Sequence, residues 1–109
     1  MPIDSKTFDP LSEHTVAKLP GHMGVFELAS DDGKVLFIGM AGGRSRFGLR
    51  SEIGACLGST TASRFRCEVT TSYLTRYQEL LMRFVAAHGR LPAENDAASV
   101  GRLGRLSPG

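Results

Sequence analysis

Apolar positions along the chain first alternate with polar ones and later recur at helical spacing, which marks out five elements. Met23–Leu28 and Lys34–Gly39 are strand-sized runs joined by Ala29-Ser30-Asp31-Asp32-Gly33. Asp-Asp-Gly suits a hairpin turn, because Asp tolerates left-handed backbone and Gly enters it without steric cost. In the first run Phe26 and Leu28 share a face. In the second, Val35-Leu36-Phe37-Ile38 is apolar on both faces, as in a central strand.

After Gly42-Gly43 and Arg44-Ser45-Arg46, the residues Leu49, Ile53, Cys56 and Leu57 predict a helix that ends near Gly58. Arg64–Thr70 alternates again, with Phe65, Cys67 and Val69 on one face. The longest helix comes last: Leu74, Tyr77, Leu81, Phe84, Val85 and His88 form an apolar stripe, Ser72 stands at its N-cap and Gly89 at its end. Ahead of these elements, Pro2, Pro10 and Pro20 punctuate a stretch with room for a short helix in Leu11–Leu19, capped by Ser12. The order β-β-α-β-α predicts an α+β fold, a small three-stranded antiparallel or mixed sheet with flanking helices. Residues 1–18 read as an N-terminal extension, 19–96 as the domain and 97–109 as a loosely held tail.

Composition changes this picture little. The 109 residues suit one domain, and 41% hydrophobic content suffices for a core. No apolar run approaches the roughly 18 residues a membrane span needs. The start lacks a basic segment followed by an apolar one, so a soluble, cytoplasmic protein is expected. Cys56 and Cys67 stand far apart without a CxxC pattern and read as small core residues. No HxH, HExxH or Cys/His cluster suggests zinc. Charge is more telling in its distribution than in its net value of +2. Residues 1–40 carry three Lys against six acids; residues 41–109 carry ten Arg and no Lys against five acids. Arg grips phosphate with a planar fork, so the basic half permits a polyanionic partner; a GC-rich source would give the same bias.

Leu19-Pro20, Gly24-Val25-Phe26, Gly33-Lys34-Val35-Leu36-Phe37-Ile38-Gly39 and Leu91-Pro92-Ala93-Glu94-Asn95 together resemble the GIY-YIG nuclease superfamily. The spacing is most like that of the N-terminal nuclease domain in the bacterial excision-repair branch of the superfamily. The Gly24-Val25-Phe26 and Phe37-Ile38-Gly39 triplets are separated by the ten residues 27–36, as in that family. The resemblance implies phosphodiester hydrolysis with Mg²⁺ or Mn²⁺, a single Glu holding the metal and an Arg supporting the phosphate. It assigns the metal to Glu79 and the phosphate to Arg46 or Arg50. Gly24, Phe26, Phe37, Gly39 and Asn95 occupy motif positions, with Asn95 ordering the site through hydrogen bonds.

Both family tyrosines are Phe here, at Phe26 and Phe37, and neither can orient water or accept a proton. Met40 stands where the repair branch often has Lys. His22, Tyr73 and Tyr77 are the groups that could replace a lost hydroxyl. Three functions stay open: a metal-dependent endonuclease, an inactive GIY-YIG-like module that binds nucleic acid (DNA above all) or a protein, and a domain with an unrelated partner. Self-association into a homodimer is open too. Glu79 and Arg83 also stand at i, i+4, the spacing of an ordinary helix ion pair.

Overall fold

A computed structural model describes residues 2–95. The tail expected over 97–109 lies outside them. After a 3-10 turn at Ile3–Ser5 come β1 (Asp9–Pro10), α1 (Glu13–Ala17), β2 (Gly24–Ala29), β3 (Val35–Ala41), α2 (Gly48–Cys56), β4 (Arg64–Val69) and α3 (Tyr73–His88). The class is α+β. The sheet runs β1-β4-β2-β3, and every pairing in it is antiparallel.

Four strands form where three were expected. The addition is Asp9–Pro10, paired through Asp9↔Phe65 and Pro10↔Arg64. A two-residue strand has no periodicity to read, and Pro can join a sheet only at an edge because it has no N–H to donate. A second correction concerns Val35–Ala41, which is the opposite edge strand rather than a central one. It is apolar on both faces because helices cover both. Phe37 and Ala41 pack toward α2, and Val35, Ile38 and Met40 toward α3.

The sheet is thus the middle of three layers. On one side Phe26, Leu28, Ala41 and Phe65 meet Leu49 and Ile53 of α2 and Val16 of α1. On the other, Val25 and Ile38 meet Leu80, with Tyr73, Tyr77, Leu81 and Phe84 around it. The buried face of α3 therefore differs from the expected stripe: Leu74 and Val85 are exposed, and Tyr73 and Leu80 replace them. Ser12 caps α1 with a reciprocal Ser12–Thr15 capping box, as its position suggests. Gly33 (φ 86°) turns the hairpin, and Gly89 (φ 75°) ends α3 in the left-handed region.

Residues 2–18 are tied to this core through Ile3, Lys6 and Val16. Ile3 is fully buried, and its N–H donates to Glu68 Oε1 at 2.8 Å. Lys6 Nζ donates to the Cys67 carbonyl at 2.6 Å. These contacts close the α3 side of the sheet over β4, so residue 18 does not mark the edge of the folded unit.

Candidate functional site

The features that shape the site begin at two glycines of the strand hairpin. A Cβ on Gly39 would overlap the Phe26 ring and stand 2.8 Å from the Phe37 ring, so only Gly lets the two rings approach. Their centroids lie 5.9 Å apart and their planes are tilted by 40°, a favourable aromatic arrangement. Gly24 faces the Glu68 carbonyl so closely that any side chain would push β4 away from β2.

Phe26 and Phe37 floor a cleft of about 1050 Å³ along the β3 edge. Glu52, Ala55 and Cys56 of α2 form one wall and Tyr73 and Tyr77 of α3 another. The loop residues Gly42, Gly43, Arg44 and Ser45 lie across one end, and Thr60, Glu94 and Asn95 close the other. The Tyr73 hydroxyl accepts a long bond (3.4 Å) from the Gly43 N–H. Ser45 donates to Glu52 at 2.8 Å.

Asn95 is a clamp. Its Oδ1 accepts from the Ile38 N–H at 2.6 Å, and its Nδ2 donates to the Ile38 carbonyl at 2.9 Å. The amide so supplies what a neighbouring strand would have supplied, and it satisfies both polar groups of an otherwise unpaired edge residue. This agrees with an ordering role, one that serves the fold. Beside it, Glu94 takes hydrogen bonds from the Thr60 hydroxyl (2.6 Å), the Thr61 hydroxyl (2.7 Å) and the Thr61 N–H (3.1 Å). Burial opposes the carboxylate charge, but these donors outweigh it and hold the group below its ordinary carboxylate range.

That shift sets a pH dependence. A depressed folded-state pKa contributes stability above the unfolded value and loses it as the pH falls through the folded one. Glu94→Gln is therefore expected to lower the melting temperature at neutral pH and to match the wild type at the acid end. Parallel melting curves from pH 7 to pH 3 check this; a constant gap across the range would contradict it.

The structure separates the remaining candidates. Glu79 does not line the cleft. It sits about half exposed on α3, paired with Arg76 in a close contact and with Arg83 at 3.8 Å. Both arginines also reach Asp4 (3.6 and 2.6 Å), and Arg76 bonds Glu68 at 3.1 Å. A second pair, Glu27–Arg66 at 2.7 Å, is enclosed nearby. His22 is exposed at the entry to β2, and its carbonyl, not its ring, is engaged, accepting the Leu49 N–H at 2.8 Å. Arg46 and Arg50 are both set over one ring, that of Phe47, at 5.6 and 5.1 Å from its centroid.

Three cleft residues, Arg44, Glu52 and Glu94, escape sequence reasoning. Glu94 lies within the Leu91–Asn95 motif, and Arg44 and Glu52 in the loop and helix that follow β3, but nothing local tells which way a loop Arg or a helix Glu turns. Among the described residues no three His, Cys, Asp or Glu side chains gather where they could hold a metal ion together. Cys56 and Cys67 are not joined in a disulfide. Burial pushes the Cys67 thiol up. No helix among the described residues is long and apolar enough to cross a membrane.

Fold and site together define a small three-layer α+β domain with a cleft along one sheet edge and Arg44 among the residues that line it. The chain belongs to the family described as a domain of unknown function (DUF7508), which matches residues 1–87. No curated protein and no solved structure matches it.

Proposed function

We propose that this domain binds nucleic acid along an arginine rim formed by residues 44–50 at the entry to α2, of which Arg44 lines the cleft, as a non-hydrolysing module on a GIY-YIG-like scaffold. One observation carries the reading. Among the described residues, Arg64, Arg66, Arg76 and Arg83 each pair with an acid; Arg90, after α3, pairs with none, and neither do Arg44, Arg46 and Arg50. These last three are exposed and fall within seven residues of sequence. Arginines already matched to carboxylates have little left for a ligand; unmatched ones grouped on a rim favour phosphate. Glu52 and Glu94 line the cleft interior, so a polyanion is better accommodated along the rim than inside. The resemblance to GIY-YIG nucleases makes nucleic acid the expected polyanion, and a cytoplasmic setting goes with it.

Metal-dependent cleavage through Glu79 does not fit the residues present. Its carboxylate is shared by two guanidiniums outside the cleft, which oppose a cation at the same oxygens. Phe26 and Phe37 put no hydroxyl on the cleft floor. A second reading, hydrolysis within the cleft, is favoured by Glu52, Tyr73 and Tyr77 standing around it with Arg44. Supercoiled plasmid and labelled single strands, incubated with the protein and Mg²⁺ or Mn²⁺, separate the two. The binding module retards the DNA in a gel and returns it intact. Cleavage that disappears in Glu52→Gln would establish hydrolysis instead.

A further inference from the structure

Phe47 is poorly explained as a structural residue. It occupies the N-cap of α2, where Ser, Thr, Asp or Asn would accept a helix N–H, and no side chain caps this helix. Its ring is 48% exposed and belongs to neither core cluster. The groups set against it are cationic: the guanidiniums of Arg46 and Arg50, at 5.6 and 5.1 Å from the ring centroid. Neither arginine has an acidic partner among the described residues. An exposed apolar ring flanked by two unmatched guanidiniums offers a flat surface for stacking and two phosphate grips beside it.

We infer that Phe47 is a stacking platform for an unpaired nucleobase, with Arg46 and Arg50 holding the adjacent phosphates, so that the ligand is single-stranded. The inference rests on the nucleic-acid reading above and adds the substrate class. A base inside a duplex has both faces covered by its neighbours, whereas an unpaired base can lay one face on a protein aromatic. Phosphate alone would need the arginines and not the ring. When a base takes the ring, the displaced guanidinium turns toward the negatively charged strand, so the cation is kept at the site in both states. Arg44, three residues before Phe47 and itself on the cleft lining, offers a further phosphate contact to the strand.

Three probes of equal length separate the contributions: oligo-dT, an abasic deoxyribose-phosphate strand, and a duplex. The chain contains no Trp, so Phe47→Trp supplies a single fluorescent reporter at the platform. The wild type is expected to bind oligo-dT about tenfold more tightly than the abasic strand. Phe47→Ser is expected to abolish that difference, bringing oligo-dT affinity down to that for the abasic strand. Phe47→Trp emission should be quenched by oligo-dT and not by the abasic strand. Phe47→Ser also restores a capping residue, so it should melt no lower than the wild type, which separates loss of binding from loss of fold. Equal affinity for oligo-dT and the abasic strand, or a preference for duplex, overturns the stacking platform while leaving the nucleic-acid reading in place. Binding to none of the three overturns both.

Discussion

Gly48→Ala is expected to cost this domain about twice as much stability as Gly33→Ala. Both glycines have positive φ, 53° and 86°, so both substitutions place a side chain in the left-handed region. That strain costs about 1–2 kcal/mol. Gly33 meets nothing within 4 Å and bears only this cost. At Gly48 a Cβ would overlap the His22 carbonyl oxygen and lie 2.6 Å from its carbon and 2.7 Å from the Gly21 carbonyl carbon. Those neighbours are backbone and cannot swing aside. They are also fixed, since the same His22 carbonyl accepts the Leu49 N–H at 2.8 Å, and Leu49 is fully buried. Overpacking adds roughly 1–3 kcal/mol, for a total of about 2–5 kcal/mol against a typical domain stability of about 5–15 kcal/mol. Thermal unfolding checks the contrast: Gly48→Ala should melt about twice as far below the wild type as Gly33→Ala does. Equal shifts in the two variants would mean that the entry to α2 is not pinned to His22. The arginine rim would then lack its fixed anchor.

Replacing Arg44, Arg46 and Arg50 together by Ala is expected to weaken nucleic-acid binding by about 30-fold at low salt, taking roughly 0.7 kcal/mol for each exposed guanidinium–phosphate pair. The fold should be unaffected, because none of the three side chains joins either core cluster or an ion pair. Arg83→Ala is the control. It removes the same unit of charge from an equally exposed position, but that charge is already matched by Asp4 and Glu79. Arg46→Ala should therefore lower affinity and Arg83→Ala should not. Equal losses would show that binding follows net charge alone and that the rim is not the site.

How much of this could be read from the chain depended on how local the cause was. The hairpin was legible because Asp31-Asp32-Gly33 encodes its own turn, α1 because Ser12 and Thr15 cap it reciprocally, and the end of α3 because Gly89 takes the left-handed cap. Each involves residues within a few positions of one another. What escaped depends on distant partners. Asp9–Pro10 is a strand only because β4 lies beside it, and Ile3 is buried only because Glu68 accepts its N–H. Val35–Ala41 looks the same in sequence whether strands or helices cover it; an edge strand sheathed by α2 and α3 carries the apolar pattern of a central one. The stripe of α3 was read about one residue out of phase, because Leu74 and Leu80 are equally apolar and only the docked orientation chooses between them.

The site shows the same division. Asn95, Phe26, Gly39 and Phe37 stand out in the chain by type and spacing, whereas the two bonds of Asn95 to Ile38 and the place of the rings beneath the cleft are seen only in the structure. Glu79 carries no sign in the sequence that Asp4, from the far end of the chain, helps to enclose it in an arginine network. Glu52 is one of nine residues in α2, and only the three-layer packing turns it toward the cleft. The distribution of charge suggested a basic half. Which arginines were already matched could be known only from their partners in space.

The claim that the unmatched arginines bind phosphate is tested most directly by the salt dependence of binding. The dissociation constant of the wild type and of the Arg44, Arg46 and Arg50 triple-Ala variant would be measured for a labelled single strand between 50 and 200 mM salt. Three phosphate contacts predict a slope of log affinity against log salt near −2, or about a 20-fold loss across that range, and a nearly flat line for the variant. A wild-type slope near zero, or the same slope in both proteins, would contradict the account.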